Sequence, residues 1–320
     1  GLGEATITAT VNGIATTSAA FAVVPLRVEE IGGAPELVIN SGWQLGVRLN
    51  GPAPDGGIDV PWTISGVTAD PTSGTIHIGE GEYSGYQMLT PTSLGTAELS
   101  ATYGGVTRTR SYPVVPISLT NLWLWGSLPN YGGGPDVTTV GAWTRGSVGF
   151  NGYPQDSTVT INLSSSDPSI ASVPASFEAG GSNYQFPILA WRPGTVVITA
   201  EMDGVEFEKT LTVYQIELLQ PPYTWTRLVG ETANQWVYFR TNLNPDQAFT
   251  VTSSAPTVVS VPATLLPGYT SSGALEIPLT GVSPGTATIT VSIGTFSTSF
   301  DVTVENPGLN YITNFSSYPV

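Results

Sequence analysis

Apolar and polar residues alternate with a period of two along much of the chain. In the opening stretch GLGEATITATVNG, Ala5, Ile7, Ala9 and Val11 fall on one face and Glu4, Thr6, Thr8 and Thr10 on the other, which predicts a half-buried strand. Asn12-Gly13 supplies a tight turn, and IATTSAAFAVV returns with the same alternation, so a β-hairpin opens the chain. The pattern then recurs. Counted from Gly95, Gly194 and Gly285, the alternate residues are Ala97, Leu99, Ala101, Tyr103; Val196, Ile198, Ala200, Met202; and Ala287, Ile289, Val291, Ile293. The residues between them are Thr, Ser or Glu, apart from Val197. Turn pairs follow at Gly104-Gly105, Asp203-Gly204 and Gly294-Thr295.

A hairpin repeated every ~90 to 100 residues has the period of a seven-stranded sandwich. The expectation is therefore all-β, with three complete sandwich domains at 26–116, 117–215 and 216–305. Residues 1–25 read as the last hairpin of a partial domain. Residues 306–320 read as the first strand of a further domain or as a strand shared between subunits, so the sequence is expected to be mature or an excerpt. No window combines a helical period with capping signals. The junctions VVPLRVEEI, VVPISLTNL, TVYQIELLQ and TVENPGLNY leave only a residue or two between successive strands, which predicts an extended rod with neighbours touching end to end.

A second shared stretch is more specific. DPSIASVPA at 167–175 matches APTVVSVPA at 255–263, each followed by a Gly-containing turn, a short apolar strand and then a P-G-T segment. This pattern resembles the bacterial Ig-like (BIg-type) repeats found in tandem on cell-surface proteins and adhesins. It covers 117–305 well and 26–116 less well, where DPTSGTIHIGEGEYSGYQML lacks Val-Pro-Ala. The resemblance implies tandem immunoglobulin-like β-sandwich domains and an extracellular, cell-surface setting. It names no substrate, because sandwiches host many functions. Pro187 and Pro278 hold matching places in short apolar strands and predict edge strands, since proline cannot donate to a ladder.

Charge and composition narrow the chemistry. The formal net charge is −15, and of nine basic residues Lys209 is the only lysine. Without a basic stripe, neither nucleic acid nor an anionic lipid surface is an expected partner. No apolar run is long enough for a membrane helix, and cysteine is absent. His77 is the only histidine and reads as an ordinary strand position. Glu80 and Glu82, two apart, would share one side of a strand and form a weak Ca²⁺ candidate, with a solvated acidic face as the plainer reading. Asp70-Pro71 and Asp167-Pro168 read as Asx turns. No spacing implies a carboxylate pair, so no catalytic residue, metal site or cofactor is expected and the chain does not read as an enzyme. Asn162-Leu-Ser164 and Asn314-Phe-Ser316 match the glycosylation sequon.

Aromatic residues are the remaining signal. Trp43, Trp143 and Trp236 stand near the first core strands of successive units and read as packing residues, as does Trp62. Trp123, Trp125, Tyr131, Trp143 and Tyr153 crowd the Gly-rich stretch 121–153, where some should be exposed. They could stack on a glycan, but with no matching polar cluster the preferred reading is contact between subunits. The expected function is a structural building block of a cell-surface filament, fibre or stalk that binds copies of itself. The alternatives are an adhesin or carbohydrate-binding array using residues 121–153, and a phage tail or virion decoration protein.

Overall fold

The computed structural model describes residues 2–128, 132–153, 159–180, 184–220, 222–268 and 273–308, all of them strands, turns and connections without a helix. The chain divides into two compact units, Gly1–Ser118 with Phe150–Thr158, and Leu119–Gly149 with Val159–Val320. Three sandwiches are distributed between them, one in the first unit and two in the second.

In the first unit, one sheet runs in the order Ser73–Ile78, Ile58–Ser65, Gly95–Tyr103, Val106–Val115, Leu37–Val38. The facing sheet runs Val28–Gly32, Trp43–Leu49, Ser84–Pro91, Ala69–Asp70. This is the immunoglobulin arrangement of two sheets joined by Greek-key connections, with Leu37–Val38 added in parallel to the last strand. Alternation puts Ile58, Val60, Trp62 and Ile64 inward against Leu99 and Tyr112, all buried. Trp43 packs on Tyr112 with ring centroids 5.2 Å apart. Gly33 is required beneath it: its φ is +151°, and a Cβ there would lie 2.0 Å from the indole.

Residues 150–153 belong to this unit. The Tyr153 N–H donates to the Ser41 hydroxyl at 2.8 Å, and the Asn151 side chain accepts from Ser118 N–H and donates to the Pro116 carbonyl. The opening hairpin lies here too. Thr8–Val11 pairs with Ile14–Thr17, and Gly3–Ala5 pairs with Phe21–Val23. Its apolar face is uncovered, with Ile7, Val11 and Ile14 each more than 60% exposed.

The second unit repeats the arrangement twice. Its first sandwich has the sheet Val137–Thr139, Val205–Tyr214, Gly194–Met202, Val159–Ser165, Ser176–Ala179 facing Gly132–Pro135, Leu119–Leu128, Arg145–Phe150, Gln185–Pro187. The second has Trp225–Leu228, Phe296–Glu305, Gly285–Ile293, Phe249–Ser253, Thr264–Leu265 facing Thr232–Tyr238, Ala274–Gly281, Val259–Ser260. The repeated apolar positions Val196, Ile198, Ala200, Met202 and Ala287, Ile289, Val291, Ile293 are buried in these cores. In the last sandwich the first strand, Trp225–Leu228, pairs in parallel with the last, Phe296–Glu305; in the other two the parallel partner of the last strand is a short later strand, Val137–Thr139 or Leu37–Val38.

The prolines divide. Pro187 ends an edge strand, whereas Pro278 sits in the central strand of a three-stranded sheet, contrary to expectation. The reason is local: Val259–Ser260 covers that strand only at Thr280 and Gly281, so the edge beside Pro278 carries no ladder partner among the described strands.

Candidate functional site

The densest buried polar cluster lies between the two sandwiches of the second unit. It is built by residues 241–247, TNLNPDQ, which connect Thr232–Tyr238 to Phe249–Ser253 in the last sandwich. Pro245 and the Asn244 side chain, which accepts from Asp246 N–H at 3.0 Å, fold this connection into a compact turn. The turn meets residues 141–143 and 188–191 of the preceding sandwich. Backbone bonds run both ways: Trp143 N–H donates to the Asn242 carbonyl at 2.8 Å, and Asn244 N–H to the Gly141 carbonyl at 2.9 Å. Ala142 and Leu243 form an isolated antiparallel bridge between them.

Side chains complete the joint. The Gln247 amide donates to the Ala190 carbonyl at 2.7 Å, and the Asn244 amide to the Ile188 carbonyl at 3.4 Å. Gln247 and Asn244 are both at least 98% buried. Thr241 donates to the Ser127 carbonyl, which also accepts from Thr139 at 3.0 Å. Thr138 and Thr144 share a hydroxyl bond at 2.5 Å, and Thr144 donates to the Ala142 carbonyl at 3.1 Å. Such uncharged bonds contribute about 0.5 to 1.5 kcal/mol each, but losing one partner strands a buried group at about 1 to 3 kcal/mol. The joint therefore resists sliding more than a purely apolar contact would, because sliding takes from the Gly141, Ile188 and Asn242 carbonyls the donors that reach them from the other sandwich.

Apolar contacts and close backbone approach frame this cluster. Ile293, Phe249 and Ile216 surround Gly141, whose φ is +70° and whose missing side chain admits them. Gly294 faces the Trp191 carbonyl so closely that a Cβ would collide with it. Trp191 is in turn held by its indole N–H donating to Ser172 at 3.0 Å and its backbone N–H donating to the Ile170 carbonyl at 2.8 Å. Beside it Arg192 donates to Asp167 at 2.8 Å. Asp167 caps its own turn, accepting from the backbone N–H and hydroxyl of Ser169. The Ser169 hydroxyl bond, helped by the Ser169 N–H and by Arg192, holds the Asp167 carboxyl below its ordinary range against an opposing desolvation effect.

Sequence reasoning did not single out residues 241–247. They carry the Asn, Pro and Asp of an ordinary solvated turn, and the one available signal is that the seven residues hold a single charge, Asp246, flanked by amides. What buries them is a partner surface encoded some 50 to 110 residues earlier in the chain, which no local pattern reports.

The aromatic candidates do not form one site. Trp123 and Trp125 lie in the strand Leu119–Leu128 rather than in a loop, on its outer face, because Leu122, Leu124 and Gly126 take the inward positions. They are 39% and 45% exposed. Trp123 rests over Gly149, and Trp125 stands opposite Pro135 in the ladder. Trp143 is a correction to its packing role: it is 39% exposed at the joint, with the Arg145 guanidinium 5.2 Å from its ring. Trp236 is likewise exposed, since Gln235 and Val237 hold the inward positions of its strand. Tyr153 is exposed and belongs to the other unit. Tyr131 and Asn314 lie outside the described residues.

Glu80 and Glu82 lie in a turn between Ser73–Ile78 and Ser84–Pro91, not on a strand face, with Gly81 at φ +77° between them. Glu80 accepts from Gly56 N–H at 3.4 Å, and the Glu82 carbonyl accepts from Ala53 N–H at 2.8 Å. Among the described residues, no three His, Cys, Asp or Glu converge in a metal-holding group. His77 is exposed on its strand and paired with Asp59 at 2.8 Å. Asn162 donates to Glu201 at 2.7 Å.

No protein-family model and no curated protein sequence matches the chain. Among solved structures it is similar to the I9–I11 tandem of titin, at 12% identity over 88% of this chain and 100% of that one, with a TM-score of 0.34. It is also similar to invasin, a bacterial integrin-binding protein, at 14% identity over 88% of this chain and 60% of that one, with a TM-score of 0.32. Domains 4–9 of the surface layer protein SbsC align at 16% identity over 87% of this chain and 48% of that one, with a TM-score of 0.28. With likenesses this distant, the immunoglobulin-like fold of this chain rests on its own strand order.

Proposed function

We propose that the chain is a structural component of an extracellular, cell-surface assembly, a filament, fibre or stalk whose tandem sandwiches bear load. The observation that carries this reading is the joint at residues 241–247, where buried amides and hydroxyls couple two sandwiches that a flexible linker would leave free. Stiff coupling serves a support and has no use in a chain of independent binding modules. In the last sandwich the parallel pairing of its first strand, Trp225–Leu228, with its last, Phe296–Glu305, fits the same role, because pulling that sandwich from its two ends loads this ladder in shear and its hydrogen bonds must yield together. The outward indoles of Trp123 and Trp125 are the side chains suited to lateral contact with another copy, since rigid aromatic surface anchors interfaces at low entropic cost.

Immunogold electron microscopy of intact cells with antibody against the folded chain tests this. The reading requires label outside the cell envelope, recurring along thin structures. Label confined to the cell interior, or to virus particles, contradicts it.

A further inference from the structure

The outer face of the last sandwich carries a groove that the structural role does not use. Thr232–Tyr238 and Ala274–Gly281 pair with Asn234 opposite Pro278 and Trp236 opposite Glu276, which places these four side chains side by side on the solvent face. Leu266, from the segment after Thr264–Leu265, closes one wall. The groove is open to solvent and its volume is about 350 Å³, within the range of small-molecule sites. Trp236 is 38% exposed in it and Leu266 62% exposed.

The chemistry of the lining is selective. The indole offers an electron-rich face flanked by the apolar surfaces of Leu266 and Pro278, a platform for polarised C–H groups. Beside it the Asn234 amide donates to a Glu276 carboxylate oxygen, fixing both planar groups. The second carboxylate oxygen and the Asn234 carbonyl remain as acceptors for adjacent hydroxyls. Among the described residues no basic side chain lines the groove, and the chain's net charge of −15 disfavours an anion. One carboxylate is too few for a bare divalent cation. A flat ring with C–H groups on one face and neighbouring hydroxyls at its edge satisfies every element of this lining.

We propose that the groove of Asn234, Trp236, Leu266, Glu276 and Pro278 binds a neutral pyranose residue of a glycan. The ring stacks on Trp236 and two neighbouring hydroxyls bond to Glu276 and Asn234. This differs from the glycan alternative considered for residues 121–153, and it holds whether or not the chain bears load.

The test is a two-dimensional NMR titration of the whole chain, following the Trp236 indole N–H and, for variants without the indole, the backbone amides of Thr232–Tyr238 and Ala274–Gly281. Four neutral tetrasaccharides (cellotetraose, laminaritetraose, mannotetraose and chitotetraose) serve as probes, with sialyllactose and a proline-rich decapeptide for comparison. At least one neutral probe should shift the Trp236 signal saturably. Trp236→Ala should abolish binding and Glu276→Gln weaken it about tenfold, as expected for a bond to a charged acceptor. Trp123→Ala should leave it unchanged. Because Trp236 and Glu276 are on the solvent face, retained core amide signals would show that the variants are folded. Absence of a Trp236 shift with every neutral probe overturns the proposal, as does binding that survives both substitutions or that occurs only with sialyllactose or the peptide.

Discussion

Ile7 and Ile289 hold the same place in the repeated hairpin, yet Ile7 is 63% exposed and Ile289 fully buried. Alternation tells which face a side chain takes; whether that face is covered depends on a second sheet that the alternation does not encode. Truncation should separate the two. Ile289→Ala removes apolar contacts inside a closed core and should cost about 2 to 5 kcal/mol, whereas Ile7→Ala should stay within about 0.5 kcal/mol. Urea unfolding followed at core amides of the last sandwich measures the first, and at amides of the opening hairpin strands Thr8–Val11 and Ile14–Thr17 the second. Equal effects would contradict the burial described.

Asp167 gives the residue scale a pH dependence. Its carboxyl is held below the ordinary carboxylate range chiefly by the Ser169 hydroxyl, and more carboxylate character in the folded state means that the stabilisation is present above the unfolded value. It is lost as pH falls through the lowered folded value. The thermal midpoint of the wild type should exceed that of Asp167→Asn at neutral pH, and the gap should close as pH drops from about 4 towards 2. Parallel curves over that range would show that the Ser169 and Arg192 contacts contribute nothing. Because Asp167 and Arg192 are partly exposed, the effect should also shrink in high salt.

At the scale of elements, the strands were the most legible part. Repeated alternation with turn pairs identified the last two strands of each sandwich, because period-two burial is written directly in the side chains. Single positions were harder. Trp236 and Trp143 look like core residues by size, but their strand or loop places the neighbouring residues inward. Trp123 and Trp125 sit on a strand, although the Gly-rich stretch around them suggests a loop; Gly126, Gly134 and Gly141 instead allow close approach, as where Thr138 fills the space above Gly126. The turn at residues 241–247 was hidden for the opposite reason, being polar in composition and buried in fact. Replacing Asn244 and Gln247 together by Ala removes these donors from the Ile188 and Ala190 carbonyls, of which Ala190 keeps the Gly141 N–H, and should cost about 1 to 3 kcal/mol. Calorimetry should then resolve the two sandwiches of the second unit into separate transitions where the wild type gives one. A single unchanged transition in the double variant would remove the side chains from the account of the joint.

For the whole molecule, the same fold is used three times, but neighbouring sandwiches are not equivalent beads. Two of them share a buried polar joint that makes their surfaces mutually dependent, and the proposed load-bearing role rests on this coupling. The amides that cross the joint report on it directly. Trp143 N–H and Asn244 N–H are bonded between the sandwiches rather than within either one. Hydrogen exchange of the intact chain, resolved at these two amides, is therefore the decisive measurement. If the joint opens only when the sandwiches unfold, both amides should exchange as slowly as those of the core strands Gly194–Met202 and Phe249–Ser253. Exchange at the rate of exposed turns, while the core strands stay protected, would mean that the sandwiches part freely and would contradict the claim that they act as one unit.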